Sequence, residues 1–493
     1  MGTLDGEPRS RASGALRDPA GAGDGLRLLE KELDELDFRE SAEWATCPLV
    51  KRAIATYLPG KHRHDRAILA LAIPAVGTLA IDPLVSLVDT AFVGRLGPAE
   101  LGALGINAAI FAMAFLAFNF LAYGTTPKVA EALGREDRDE VGRIIAQSLW
   151  LGLGIGVLAS AALLALADPI LWAMGATDDL YEPSRTYLLI RALSGPAVLL
   201  SLAAHGIYRG IQDTRTPLVV TAILNVINLV LDPLLIFTLG FGIAGAALAT
   251  LVAQWTGALI FLVLLVRARG ELGFSLVGPR LREMLPLLRI GGHLLLRTAS
   301  LIATMTLATA VAARAGVLAI AAHQVAIQIW GFLALLVDAL AVAGQALLAR
   351  HIGAGRPAEA RAIGNRLLQW GLLLGVLFAV AIWLSGATLP RLLTDDPETL
   401  AVAVPLMAFV AILQPLNGLV FVWDGLFMGL QKFRFLARAM VAAALIACAL
   451  LLAVHFLEWG VVGVWWAITA LMGVRLLTLA IPWSLLEPPV DRA

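Results

Sequence analysis

From residue 66 onward the chain alternates long apolar runs with short polar connections, and a helix needs about 20 mostly apolar residues to cross a bilayer. Runs of that kind fall at 66–93, 101–126, 143–167, 185–207, 216–238, 242–266, 284–311, 317–348, 364–388, 400–428, 435–456 and 460–482. The connections are too short to hold a soluble domain. The pattern predicts an all-α, polytopic membrane protein with twelve transmembrane helices.

The runs repeat. At an offset of 219 residues Gly97 meets Gly316, Gly134 meets Gly353, Pro196 meets Pro415, and GIYRGIQD at 206–213 meets GLFMGLQK at 425–432. Near the end the offset slips by one, pairing Gly242 with Gly460 and Gly245 with Gly463. An even number of helices separates the copies, so both enter the membrane in the same direction and form parallel repeats about an axis along the membrane normal. The expected architecture is two six-helix lobes related by pseudo-two-fold symmetry, facing a central cavity. Residues 63–270 form the N-lobe, 271–485 the C-lobe and 486–493 a tail. Residues 1–62 are read as an N-terminal cytoplasmic segment: 1–24 have a disordered composition, and 26–57 form amphipathic surface helices or a solvated tail.

Polar residues interrupt this apolar background at helical spacing. In the first run Thr78, Asp82, Ser86 and Asp89 fall on one face. A carboxylate at membrane depth costs at least ~2.5 kcal/mol, which makes it a functional candidate by default. The fifth run carries Thr221, Asn225, Asn228 and Asp232, followed by Pro233, and the sixth adds Thr250 and Gln254. Such hard oxygen ligands suit a proton or an alkali cation and do not suit zinc. Interhelical hydrogen bonding is the alternative role for the uncharged members.

The second half does not copy this stripe, because Asp89 corresponds to Ala308 and Asn228 to Ala447. It has its own polar faces, Gln324, Gln328, Asp338 and Gln345 on one helix and Gln414, Asn417 and Asp424 on another. Asp338 and Asp424 lack an obvious adjacent cation, with Arg297 and His323 the nearest candidates by helix order. They are read as secondary protonation sites or contacts to a cationic substrate, with hydrogen-bonded packing as the alternative. His205, Arg191 and Arg475 sit near expected helix ends and read as snorkelling side chains. Pro74 lies about four turns before Asp89, where its missing amide hydrogen makes a bend in the first helix easy.

Composition agrees with the membrane reading: 59% of the 493 residues are hydrophobic and 15% charged, with a mean hydropathy of +0.82. The 37 basic residues balance 37 acidic ones, so no global basic field suggests a nucleic-acid partner. Lys and Arg concentrate in the even-numbered connections, among them Lys128, Arg135, Arg209, Arg267, Arg350, Arg356 and Lys432, which predicts cytoplasmic termini. The two cysteines, Cys47 and Cys448, support neither a disulfide framework nor a thiolate metal cluster. No H-E-x-x-H, D-D-x-x-D or G-x-S-x-G motif points to an intramembrane enzyme.

The segments IDPLVSLVDTAFVGRLG, GIYRGIQDTRTPL, NLVLDPLLIF, AAHQVAIQIW, LVDALAVAGQALLARHIG and QPLNGLVFVWDGLFMG resemble the multidrug and toxic compound extrusion (MATE) transporters, in particular their DinF-like branch. The likeness covers roughly residues 66 to 482. It implies alternating access and export of organic compounds in exchange for protons or sodium, and the acids assigned to the cavity favour a cationic or amphipathic cargo. By the same resemblance Asp89, Asn228, Asp232 and Thr250 bind the coupling ion, and Pro74 is a conformational hinge. Asp338 and Asp424 match acids of the branch, and the cavity set extends to Asp82, Asn225, Asn417, Gln324 and Gln328. The seventh-helix glutamate of another MATE branch has no counterpart in RTASLIATMTLATAVAA. An exporter of citrate-like organic acids and a flippase for lipid-linked precursors are the alternatives. The expected partners are a small organic substrate, the coupling cation and the bilayer, with no other cofactor. The protein is expected to be a monomer in a plasma, inner or organelle membrane.

Overall fold

The computed structural model describes residues 62–274 and 278–485, so the amphipathic reading of 26–57 lies outside the described residues. The long helices are α1 (Asp65–Gly94), α2 (Pro98–Leu116), α3 (Phe120–Gly134), α4 (Arg138–Ala165), α5 (Tyr181–Ala192), α6 (Gly195–Gly210) and α7 (Arg215–Pro233). They continue with α8 (Gly242–Arg267), α9 (Leu281–Arg314), α10 (Val317–Gly353), α11 (Pro357–Ser385), α12 (Pro397–Gly429), α13 (Phe433–Phe456) and α14 (Gly460–Leu485). Among the described residues 11 segments are long and apolar enough to span a membrane, with α2 and α3 joined as one, and the α5–α6 pair brings the number to 12. The fold is therefore the all-helical, two-lobed bundle that the apolar pattern predicts.

The fourth span differs from its sequence reading as one continuous helix over 185–207. It is bent by 50° between Ala192 and Gly195. Pro196 has no N–H to give the carbonyl of Ala192. Ser160 of α4 donates to that carbonyl instead, at 2.6 Å. Pro127 in α3 likewise leaves the Tyr123 carbonyl free, and Gln345 of α10 donates to it at 2.5 Å, tying the two halves together. By contrast α1 runs unbroken through both Pro74 and Pro83, and Ala75 packs against Ala339 and Val342 of α10.

The repeat is also written in the backbone. Positive φ recurs at matched positions: Gly97 (155°) and Gly316 (125°), Glu136 (60°) and Gly355 (70°), Gln212 (64°) and Gln431 (56°), and, after the slip, Gly242 (53°) and Gly460 (63°). Close helix contacts depend on glycine. Gly371 and Gly418 bring α11 against α12, and Gly425 sits on the backbone of Ala341, where a Cβ would overlap it. Helix α1 packs on both α7 of its own half and α10 of the other, so its polar face lies next to the lobe boundary.

Candidate functional site

The helical spacing of the α7 stripe carries through to side-chain positions. Thr221, Asn225, Asn228 and Asp232 are all buried. Asn225 and Asn228 line a cavity of about 440 Å³ together with Asp82 and Asp89 of α1 and Thr250 and Gln254 of α8. Asn225 donates to Asp82 at 2.9 Å and to the Thr221 carbonyl at 2.9 Å, which fixes its amide. Asn228 stands between the two remaining acids. In one amide orientation its nitrogen lies 3.5 Å from Asp232 Oδ1 and 3.5 Å from Thr250 Oγ1. In the opposite orientation it lies 3.2 Å from both carboxylate oxygens of Asp89. Asp89 and Asp232 are also within hydrogen-bonding range of each other. Asp232 Oδ2 is buried with no partner among the described residues. Two carboxyls and a carboxamide thus meet where a proton or a small cation would offset their like charge.

Two neighbours that the sequence assigned to snorkelling belong to this region. Arg191 lines the cavity, with its guanidinium 5.1 Å from the Phe111 ring centre and Nη1 donating to Ser194 Oγ at 2.6 Å. His205 lines an adjoining cavity of about 400 Å³ that shares Asp82 and Gln254 with the first, and its ring nitrogen is 3.5 Å from Thr221 Oγ1.

The second half is built differently. Ala308 and Ala447, the counterparts of Asp89 and Asn228, are fully buried in apolar packing. Asp424 is not short of cations: Arg297 donates to it at 2.5 Å and Arg475 closes on the same oxygen. Arg475 does not snorkel either; it is 2% exposed and lies 5.4 Å from the Phe421 ring centre. An ionised side chain stays so deep only with a counter-charge, and Asp424 supplies it. Asp338 is half-buried within electrostatic reach of Arg297, Asp424, Arg475 and Arg209. Arg209, 7% exposed, was read from the sequence only as a connection cation, and the Asp338 it faces lies on a different helix. Asn417 is fully buried, and neither amide atom has a partner among the described residues. Gln324 and Gln328 are exposed and line none of the cavities described here.

A family model described as MatE matches the chain twice, over residues 74–234 and 295–452. A relative from Arabidopsis thaliana, "Protein DETOXIFICATION 44, chloroplastic", is 36% identical over 449 residues, 87% of this chain and 85% of its own length. "DNA damage-inducible protein F" of Escherichia coli (strain K12) is 29% identical over 423 residues, 85% of this chain and 92% of its own length. Among solved structures, one titled "Crystal structure of MATE in the bent conformation" aligns with a TM-score of 0.79 at 22% identity, covering 86% of this chain and 96% of that one.

Proposed function

The chain belongs to the MatE family of multidrug and toxic-compound efflux transporters, and on that premise we propose that it is a proton-driven antiporter whose coupling site is the Asp89–Asn228–Asp232 cluster with Thr250. The observation that carries this reading is the approach of the Asp89 and Asp232 carboxyls to the one Asn228 carboxamide, with Asn228 and Asp232 both buried. Two such groups repel when both are charged, so one shared proton is the favoured occupant. Losing that proton drives the pair apart, and since α1 packs on α10, a shift of α1 reaches the other half. Proton binding and release would then bias which side of the membrane the cavity faces. The test is transport in proteoliposomes under an imposed pH gradient. Asp89→Asn and Asp232→Asn are expected to abolish gradient-driven efflux while the purified proteins remain folded. Near-normal efflux by both variants, or efflux driven by a sodium gradient alone, overturns the assignment.

For the cargo, the buried arginines favour the organic-acid alternative over a cationic drug. Arg209 of the first half joins Arg297 and Arg475 of the second around Asp338 and Asp424, so the interior where these residues meet carries an excess positive charge that an anionic or zwitterionic substrate would offset. Competition between di- or tricarboxylates and cationic dyes for uptake into the same vesicles separates the two.

A further inference from the structure

At the cation-rich end of the bundle the repeat creates two matched contacts between the halves. Gln212 follows α6 and Gln431 follows α12, and Glu131 and Arg350 likewise occupy one repeat position. Arg350 donates to Gln212 Oε1 at 2.5 Å, while Gln431 donates to Glu131. Gly134 and Gly353, also one repeat position, bring the ends of α3 and α10 into backbone contact beside these pairs. The mouth is thus shut by two copies of the same latch, each with one partner from either half.

Their charges differ. Glu131 is neutralised by Arg135, which also holds Glu140 at 3.0 Å. Arg350 has no carboxylate within 4.0 Å among the described residues, since its repeat partner is the acid itself. Beside it opens a pocket of about 720 Å³ whose polar lining includes Glu136, Arg138, Gln212, Arg350, His351 and Arg356. Gln212 Nε2 is buried there with no partner among the described residues. Glu136 is the one acid of the lining among the described residues, and nearby Glu359 is divided between His351 (3.5 Å), Arg63 (3.9 Å) and Arg356 (4.0 Å).

We propose that this pocket binds a phosphate-bearing anion, which supplies the counter-charge missing from the second latch. Guanidinium forks from the starts of α4 and α11 and the end of α10 match an oxyanion with several acceptor oxygens better than a single carboxylate. The bound group joins α4 of the first half to α10 and α11 of the second. Its source is either a phospholipid headgroup at the membrane surface or soluble phosphate.

The thermal unfolding midpoint of the full-length protein in nanodiscs of phosphatidylcholine tests this. One arm adds phosphatidylglycerol to the bilayer, and the other adds inorganic phosphate at constant ionic strength. A rise in one arm is expected, and which arm shows it identifies the source. The rise should fall by at least half in Arg138→Gln/Arg356→Gln and grow in Glu136→Gln. It should persist in Arg434→Gln/Arg438→Gln, whose arginines follow another connection on the same face and do not line the pocket. No rise in either arm, or equal loss in both arginine pairs, overturns the proposal. The midpoint of each variant in phosphatidylcholine alone reports its folding, and should the arginine pair misfold, the Glu136→Gln response still decides the outcome.

Discussion

Asp396 precedes the membrane-spanning part of α12, where its carboxylate accepts from the Thr399 hydroxyl at 2.5 Å and from the Thr399 N–H at 2.9 Å. These bonds hold its carboxyl below the usual range. A depressed folded-state value contributes stability above the unfolded value of about 3.9, and that contribution is lost as pH falls through the folded value. Asp396→Ala should therefore lower the unfolding midpoint at neutral pH, with the deficit shrinking below about pH 4; a deficit constant across acid titration would rule out this linkage. The α7 residues were legible in the sequence because a helix puts positions four, three and four apart on one face, whatever the tertiary context. Arg475 was not, since its partner Asp424 lies on another helix and no local period joins them. Arg191 was missed because the cavity it lines is formed by side chains of other helices, which no local period joins to it.

Helices show the same division between local and long-range information. Length and apolarity predicted each span, and proline content alone did not mark where a helix is interrupted. The Ala192 carbonyl, released by Pro196, has a donor waiting in Ser160, so the fourth span tolerates its break, while α1 passes through two prolines without one. The offset that pairs Gly134 with Gly353 was visible as a repeat, and only the fold shows that the two ends touch. A Cβ on Gly134 would collide with the Arg350 carbonyl, and one on Gly353 with the Glu131 carbonyl. Backbone has little room to yield, and overpacking of this kind costs about 1–3 kcal/mol. Gly134→Ala and Gly353→Ala are each expected to lower the unfolding midpoint and to raise labelling of the latch end by a water-soluble reagent. Gly154→Ala, with nothing within 4 Å of the added methyl, should change neither. Equal effects of all three would mean that the latch contact is not what holds this end closed.

Across the whole molecule the two halves share a backbone but not a chemistry. Carboxyls and carboxamides fill the first half where alanines fill the second, and the second buries an Arg–Asp–Arg cluster instead. In the proposed scheme the proton is read in one half and the cargo is held largely by the other. The halves then communicate through α1 against α10 and through α3 against α10. Binding and coupling should consequently separate by mutation. Asp89→Asn should bind a radiolabelled organic acid within about threefold of wild type, a change below ~1 kcal/mol, yet fail to accumulate it under a pH gradient. Arg297→Gln, which removes one of the two cations on Asp424 and keeps a hydrogen-bonding amide, should weaken that binding at least tenfold, or about 1.4 kcal/mol. Equilibrium binding and vesicle flux on the same preparations check both halves of the statement. If Asp89→Asn loses binding as completely as Arg297→Gln, cargo and proton compete for one site, and the exchange works by displacement within the first half rather than by relay between lobes.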